Sequence, residues 1–168
     1  MAAKTAEGLR VLNEKIRLHQ VHKFYLCLVH GTPSPLQAVI QDTLLKDSKQ
    51  NQVRVVKKNT PGARTASMSY KVLQSRGKLS LVECELFTGR THQIRVQLSH
   101  RGWPLVGDTK YGTMERNRPY GMTHQALYSY KLHFSQEGDW GELSYLKGKT
   151  FQVEDVPFLP FFYNQPKN

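Results

Sequence analysis

The sequence predicts an α+β fold in which a mixed, mainly antiparallel β-sheet is flanked by short helices. Three observations support this prediction: an amphipathic helix near the N-terminus, a succession of short apolar runs with two-residue periodicity, and turns rich in glycine or proline between those runs. A chain of 168 residues is long enough for one domain with its own core and short for two. We therefore expect a single domain over residues 1–168.

The first element is a helix over residues 5–19. Leu9, Leu12 and Ile16 recur at helical spacing, and Thr5 is placed to cap the start. The expected strands that follow occupy residues 23–29, 39–41, 52–56, 66–74, 79–86, 126–134 and 149–153. Ser75–Lys78 forms a hairpin turn, so the middle of the chain should be an antiparallel meander.

A second, shorter helix is expected after the strand break at Thr88 and Gly89. Thr91 can cap it, Ile94 and Leu98 mark its apolar face, and a glycine and a proline end it after about eight to ten residues. Residues 105–122 have the composition of a loop, in which Asp108 supplies turn chemistry. The chain ends in a segment rich in proline and phenylalanine.

The chain is strongly basic, with 24 Lys and Arg against 13 Asp and Glu and a formal charge of +11. Residues 46–64 hold six basic and one acidic residue, whereas residues 137–155 hold five acidic and two basic ones. Basic loops that are also rich in glycine suit close approach to a phosphate backbone. We expect RNA rather than DNA as the partner, because no helix-turn-helix, zinc-finger or basic-zipper pattern occurs.

Several other classes of protein are disfavoured. The sequence has no apolar run long enough for a membrane span, no signal peptide and no basic amphipathic helix of the kind that binds membranes, so we expect a cytoplasmic protein. Cys27 and Cys84 lie in apolar runs, which predicts buried, reduced thiols. The histidines lack cysteine or carboxylate neighbours at ligand spacing, so no metal site is expected.

The stretch GRTHQIRVQL at 89–98, followed by HRGWPLVGDTKYG at 100–112, resembles the third motif of the RluA-type pseudouridine synthases. Enzymes of that family isomerise uridine in ribosomal or transfer RNA. Three further segments resemble the family in the family's own order, so that the resemblance covers nearly the whole chain: residues 5–31, 63–73 and 123–134.

The resemblance implies a reaction and two catalytic residues. The N1–C1′ glycosidic bond of uridine breaks, the base rotates and C5 bonds to C1′, which requires no cofactor. In the family an aspartate is essential, an arginine pairs with it, and a tyrosine stacks on the base. By motif match the tyrosine is Tyr25 and the arginine is Arg95; Tyr25 could equally be an ordinary core aromatic.

Physical chemistry adds an expectation for Arg95 that is independent of the family. An arginine on the inward face of a short helix is costly to bury alone, so a carboxylate partner is expected; a structural carboxylate of the chain itself would also serve. Arg90, His92 and Gln93 lie near the helix N-terminus and fit phosphate or ribose contacts, with ordinary capping as the alternative. Lys110 is a further candidate for a phosphate contact.

The sequence departs from the family in one respect. The motif H-R-L-D-x-x-T-S-G, which carries the family's aspartate shortly before the first helix, does not occur, and none of the five aspartates has that context. Three explanations stay open: a fragment of a longer enzyme, which we favour, a natural truncation retained for RNA binding, or a half completed by a second chain. We expect residues 1–168 alone to be catalytically inert and to self-associate through exposed apolar surface. A non-catalytic, basic RNA-binding module is the alternative function.

Overall fold

The fold is one seven-stranded sheet with helices on both faces. The computed structural model describes residues 2–167. The strands are β1 (Val21–His30), β2 (Gln37–Asp47), β3 (Gln52–Val56), β4 (Arg64–Arg76), β5 (Leu79–Leu86), β6 (Leu127–Phe134) and β7 (Thr150–Gln152). The helices are α1 (Ala6–Arg17), α2 (Gln93–His100), α3 (Met114–Asn117) and α4 (Leu159–Tyr163), with 3-10 turns at Arg118–Tyr120 and Gly141–Leu146.

The strands lie side by side in the order β3-β2-β4-β5-β1-β6-β7, and each neighbouring pair is antiparallel. The predicted α+β fold with a mainly antiparallel sheet is therefore confirmed. Among the described residues no strand pair is parallel, so the mixed character is not seen there. The expected meander is wrong in one link, because β4 pairs with β2 rather than with β3. As a result, the β2–β3 hairpin forms an edge of the sheet.

Strands β3 and β5 begin and end where the sequence predicts, whereas β2 is much longer than residues 39–41. The reason is backbone pairing. β2 is paired with β4 from Gln37–Lys71 to Leu44–Arg64, which carries the strand through exposed polar residues that an apolar pattern does not mark.

Helix α1 begins as expected, since the Thr5 hydroxyl accepts a hydrogen bond from the Gly8 N–H at 3.0 Å. Its buried face differs from the prediction: Val11 and Leu12 are buried, whereas Leu9 is 48% exposed. No helix among residues 2–167 has the length and apolar character needed to cross a bilayer.

The core lies on both sides of β1, because successive side chains of a strand point to opposite faces. Cys27 and Val29 pack with Ile94 and Leu98 of α2 on one face. Leu26 and Leu28 pack on the other face against the C-terminal segment, where Phe162 is fully buried. Both cysteines are buried, free thiols, as predicted. The C-terminal segment, expected only to be rich in proline and phenylalanine, thus contributes to the core.

Candidate functional site

The loop before α2 is fixed to the sheet by the side chain of Gln93. Its Oε1 accepts hydrogen bonds from the Arg90 N–H at 3.0 Å and from the Thr88 hydroxyl at 2.8 Å, and its Nε2 donates to the Ser67 carbonyl at 3.0 Å. Gln93 is 2% exposed. An RNA contact from Gln93, as expected from the sequence, is therefore not supported, because its amide is satisfied inside the protein and has almost no accessible surface.

The cap of α2 also differs from the expectation. His92, not Thr91, occupies the N-cap position, with a left-handed φ of 51° and no capping hydrogen bond from its side chain. Histidine is one of the non-glycine residues that adopt this conformation more often than most, at some cost in backbone energy. The His92 side chain is thereby free to bond elsewhere.

Arg95 has a carboxylate partner within the chain. Its Nε donates to Asp108 Oδ2 at 2.7 Å and its Nη2 donates to Asp108 Oδ1 at 2.8 Å, a two-point pairing of a guanidinium with a carboxylate. The side chain of Asp108 is fully buried and that of Arg95 is 13% exposed. The carboxylate predicted for Arg95 thus exists, but it is Asp108, which the sequence indicated only as a turn residue, rather than an anion from outside the chain.

Asp108 is also bound by two backbone groups. Its Oδ1 accepts hydrogen bonds from the N–H of Lys110 at 2.9 Å and of Tyr111 at 3.0 Å. Burial opposes ionisation of the carboxyl, but the hydrogen bonds from Arg95 and from these two N–H groups outweigh it, so the pKa of Asp108 lies below its ordinary value. The carboxylate is therefore ionised, and it is held at the centre of the loop that follows α2, residues 105–112.

The glycines of the segment G-D-x-x-Y-G are required by close packing of the loop. Gly107 has a φ of +77°, and a Cβ there would collide with the carbonyl oxygen of His124. A Cβ on Gly112 would lie 2.5 Å from the carbonyl oxygen of Asp108. Asn117 closes the loop, since its Oδ1 accepts from the Gly107 N–H at 2.9 Å and its Nδ2 donates to the Asp108 carbonyl at 3.0 Å.

Tyr111 joins this loop to the helix and to the β2–β3 hairpin. Its ring lies 5.1 Å from the Arg95 guanidinium carbon, a cation–π distance. Its hydroxyl accepts a hydrogen bond from the Val53 N–H at 2.9 Å and lies 2.9 Å from His92 Nδ1. The phenol can donate its own proton to a neutral imidazole, in which case His92 Nδ1 is the acceptor of that bond.

The imidazole of His92 is suited to this role because it favours the neutral form. Burial first, and then the positive charges of Arg95 and Lys110, lower the pKa of His92 below its ordinary value. A neutral ring has a lone pair on one nitrogen, as the hydrogen bond from Tyr111 requires. His92 is therefore a neutral link between the helix and the loop.

The far end of α2 has a second ion pair, which the sequence did not indicate. Arg101 donates from Nη1 to Asp42 Oδ2 at 2.7 Å, and Gln97 Nε2 donates to the same oxygen at 2.7 Å. Burial opposes ionisation of Asp42, but these bonds lower its pKa overall. One pair at each end of a helix of eight residues fixes its position on the sheet.

Tyr25 lies at an irregularity of the sheet. The register between β1 and β6 shifts between Phe24 and Tyr25, which is a β-bulge or a similar defect. Bulges redirect side chains and are common beside active sites. Tyr25 is half-buried and packs against the apolar cluster that includes Ile94 and Leu98, so it shares a face of the sheet with α2.

The other predicted contacts remain at the surface. Arg90 is exposed and its Nε donates to the Thr65 carbonyl at 3.0 Å. Lys110 is exposed and its Nζ donates to the Asn51 carbonyl at 2.8 Å, at the turn of the β2–β3 hairpin. Among residues 2–167 no group of three or more His, Cys, Asp or Glu side chains has the geometry of a metal site.

The fold has counterparts of known structure. The human RNA Pseudouridylate Synthase Domain Containing 4 protein superposes with a TM-score of 0.71 at 21% identity, covering 95% of this chain and 66% of that one. The human RNA Pseudouridylate Synthase Domain Containing 1 protein gives a TM-score of 0.65 at 20% identity, covering 99% of this chain and 75% of that one. At these identities the likeness shows the fold alone, which is that of a pseudouridylate synthase domain.

Sequence comparison then shows the family. The family model described as RNA pseudouridylate synthase matches residues 1–100. Ribosomal large subunit pseudouridine synthase C of Yersinia pestis is 38% identical over 157 residues, which are 92% of this chain and 46% of that protein. The protein of the same name from Escherichia coli K12 is 33% identical over 143 residues, which are 82% of this chain and 44% of that protein. The chain belongs to the RNA pseudouridylate synthase family, and the RluA-type resemblance is confirmed. The chain spans about half the length of these two relatives.

Replacing Asp108 by Asn should destabilise the protein by about 3–5 kcal/mol near neutral pH, because Arg95 is then buried without its counter-charge. The pKa of Asp108 is lowered from 3.8, so the ionised carboxylate stabilises the fold above that pH and the contribution is lost as the pH falls through the lower folded-state pKa. Urea unfolding of the wild type and of Asp108→Asn should therefore show a gap that narrows below about pH 4. The exposed Asp155→Asn is the control, and a gap that does not change with pH would contradict the assignment.

Proposed function

We propose that this chain forms the part of an RNA pseudouridine synthase catalytic domain that holds the target base and orients the catalytic carboxylate, and that this carboxylate comes from outside residues 1–168. Residues 1–168 alone are then inactive. The substrate is large-subunit ribosomal RNA, a proposal that rests on the names of the bacterial relatives. The catalytic residues within the chain are Tyr25 and Arg95.

The observation that carries this proposal is the placement of Tyr25 and α2 on one face of the sheet. Tyr25 lies at the register shift between β1 and β6 and contacts the cluster on which Ile94 and Leu98 of α2 are packed. A uridine turned out of an RNA helix needs an aromatic surface to stack on, and Tyr25 offers one beside the helix that carries Arg95.

Arg95 can bind a second carboxylate while it remains paired with Asp108. A guanidinium has five N–H donors, and the pair with Asp108 engages one on Nε and one on Nη2. The side chain is 13% exposed, and within residues 2–167 its Nη1 makes no hydrogen bond. Asp108 thus fixes the plane of the guanidinium, and the remaining donors are available to orient a catalytic aspartate.

The reaction itself is an isomerisation and needs no net exchange of atoms with the protein. The N1–C1′ bond breaks, C5 of the uracil bonds to C1′, and the proton on C5 moves to N1. A proton-transferring group is needed once C5 has bonded, and the family assigns that role to the tyrosine beside the base. Tyr25 is the residue at that position here.

The basic β2–β3 hairpin, the two lysines that follow it and the segment 90–110 form the RNA-binding surface of this proposal. Arg54 of β3 is exposed, as are Lys57 and Lys58 directly after this strand. The hairpin is joined to the loop by the bonds from Lys110 to Asn51 and from Val53 to the Tyr111 hydroxyl. The two basic segments are therefore continuous in space, and a phosphate backbone can contact both at once.

A non-catalytic RNA-binding module is the second candidate. One observation favours it: the recorded ion-pair partner of Arg95 is Asp108, and the carboxylate at the other end of α2, Asp42, is held by Arg101. Such a protein would bind RNA through the same surface without turnover.

RNA binding by this surface should depend on salt in proportion to the phosphates neutralised. Removing two neighbouring cations, Arg54→Ala in β3 with Lys57→Ala directly after it, should reduce the slope of log K against log salt by about 1.4–1.8. The measurement is fluorescence anisotropy of a labelled RNA stem-loop at several salt concentrations. The control pair is Lys4→Ala with Lys149→Ala: Lys149 lies next to β7, at the opposite edge of the sheet. An equal reduction in both double variants would show that binding follows net charge and not this surface.

Catalysis is tested by release of tritium from RNA labelled at C5 of uridine. Residues 1–168 should release none. If sequencing shows that the reading frame continues upstream of the Met1 codon, the longer protein should release tritium, and Tyr25→Phe should slow it about 10²–10⁴-fold with RNA affinity nearly unchanged. Tyr128→Phe, also half-buried in the sheet, is the control. Turnover by residues 1–168 would refute the proposed division of the site, and an in-frame stop upstream would favour the binding module.

A further inference from the structure

A cavity lies at the C-terminal end of α2, opposite to residues 90–92. Its volume is about 630 Å³, within the usual range for small-molecule sites. It is formed where the end of β1, the β4–β5 turn and the end of α2 meet the segment after Gly112. The side chains that matter are His30, Lys78, Trp103, Glu115, Arg116 and Tyr120.

His30 presents a hydrogen-bond acceptor to this cavity. Asn117 is held by backbone groups on both sides, so its Oδ1 is the atom that faces His30 Nε2 at 2.9 Å. Nε2 must therefore carry the proton, and Nδ1 of the neutral ring has the lone pair. Burial lowers the pKa of His30, which favours that neutral ring.

The lone pair on His30 Nδ1 has no recorded partner among residues 2–167. His30 as a whole is 8% exposed, and the cavity is the space that it lines. A nearly buried acceptor thus borders the cavity, where an N–H or O–H group of a ligand could donate a hydrogen bond to it.

The remaining lining separates into two chemical parts. Lys78 and Arg116 are exposed cations at the mouth, suited to a phosphate. Tyr120 lies 5.5 Å from the His30 ring between centroids, and Trp103 lies nearby against Tyr70, so aromatic surface flanks the acceptor. Glu115 adds a second acceptor at the rim. The cavity therefore has aromatic walls, two hydrogen-bond acceptors that suit the N–H groups of a nucleobase, and two cations that suit a phosphate.

We propose that this cavity binds a second, unpaired RNA nucleotide whose base carries an amino group, with its phosphate towards Lys78 and Arg116. The amino group of adenine or cytosine projects clear of the ring and can reach His30. An amino group has two N–H donors, one for His30 Nδ1 and one for the Glu115 carboxylate, whereas uracil has a single N3–H whose flanking carbonyl oxygens would face that carboxylate, so uracil is disfavoured. The site is thus distinct from the one proposed for the target uridine.

This inference rests on the proposed function in one respect, namely that RNA is the macromolecule bound. The eight residues of α2 span about 12 Å, and successive charges of one strand of B-DNA, which RNA resembles in this respect, are about 3.4 Å apart along the axis. The cavity and Arg95 are therefore a few nucleotides apart along one strand. A nucleotide held here would fix which neighbour of the strand reaches Tyr25.

The test is an NMR titration of the ¹⁵N-labelled chain with AMP and, separately, with UMP. AMP should shift the backbone amides of Gly31, Gly77 and Gly102 saturably and move the Nδ1 resonance of His30, since its lone pair becomes a hydrogen-bond acceptor. UMP should bind at least about fivefold more weakly. Equal binding of AMP and UMP, or AMP shifts confined to residues 90–95, would overturn the proposal.

Variants separate the cavity from general attraction of anions. Lys78→Ala should weaken AMP binding about tenfold, because a charge-assisted hydrogen bond to phosphate is lost. Arg118→Ala removes the same charge from an exposed neighbour that does not line this cavity, and should change the affinity less than twofold. Equal effects of the two changes would refute a specific site.

A third variant distinguishes failure of this proposal from failure of the proposed function. Arg90→Ala should weaken binding of a stem-loop RNA and leave the AMP shifts at Gly31, Gly77 and Gly102 intact. If the chain does not bind the stem-loop but binds AMP here, the proposed function fails and the nucleotide site stands. If the stem-loop binds and AMP causes no shift at these glycines, the nucleotide site is wrong.

Discussion

The buried ion pair between Arg95 and Asp108 is the interaction on which the candidate site depends. The carboxylate is fully shielded from solvent and accepts bonds from the guanidinium and from two backbone N–H groups. Isolated burial of either charge would cost several kcal/mol, so removing one partner alone strongly destabilises the fold. Because Asp108 belongs to the loop and Arg95 to α2, this one pair fixes the loop, the helix and the plane of the guanidinium together. Tyr111 extends the same constraint to the basic hairpin through Val53.

The sheet supports the helix and the side chains of the candidate site. Helix α2 is seated on one face by Ile94 and Leu98, and its ends are fixed by two ion pairs, Arg95 with Asp108 and Arg101 with Asp42. Tyr25 lies on the same face of β1 as Cys27 and Val29, so the regular alternation of the strand directs it towards the cluster beneath α2. A rigid support for a few polar groups is what an enzyme site needs, since small misplacement of a reacting group is costly. The Arg95 donors not used by Asp108 have a defined direction for the same reason.

Much of the fold was accessible from the sequence, because strands such as 52–56 and 79–86 have clear boundaries and apolar alternation. The pairing of β4 with β2 was not, since it depends on long-range backbone hydrogen bonds that no local pattern records. In the site, the need of Arg95 for a carboxylate followed from the cost of burying a charge, but the sequence did not single out Asp108 as the partner. Asp108 accepts hydrogen bonds from the N–H groups of Lys110 and Tyr111, a local pattern that is typical of a turn. Its bond with Arg95 joins residues that are 13 positions apart, and no local pattern indicates such a tertiary contact. Gln93 and Gln97 show the same limit: their amides are used in tertiary bonds to Ser67 and Asp42.

The most direct test of this account is the pKa of Asp108, measured by NMR from the pH dependence of its ¹³Cγ shift. The account predicts a value clearly below the ordinary 3.8, with the Nε–H of Arg95 protected from exchange with solvent over the same range. The opposite result, a pKa at or above 3.8 with a rapidly exchanging Arg95 Nε–H, would mean that burial outweighs the pairing. Arg95 would then not be held by Asp108, and the proposed orientation of its remaining donors would lose its basis.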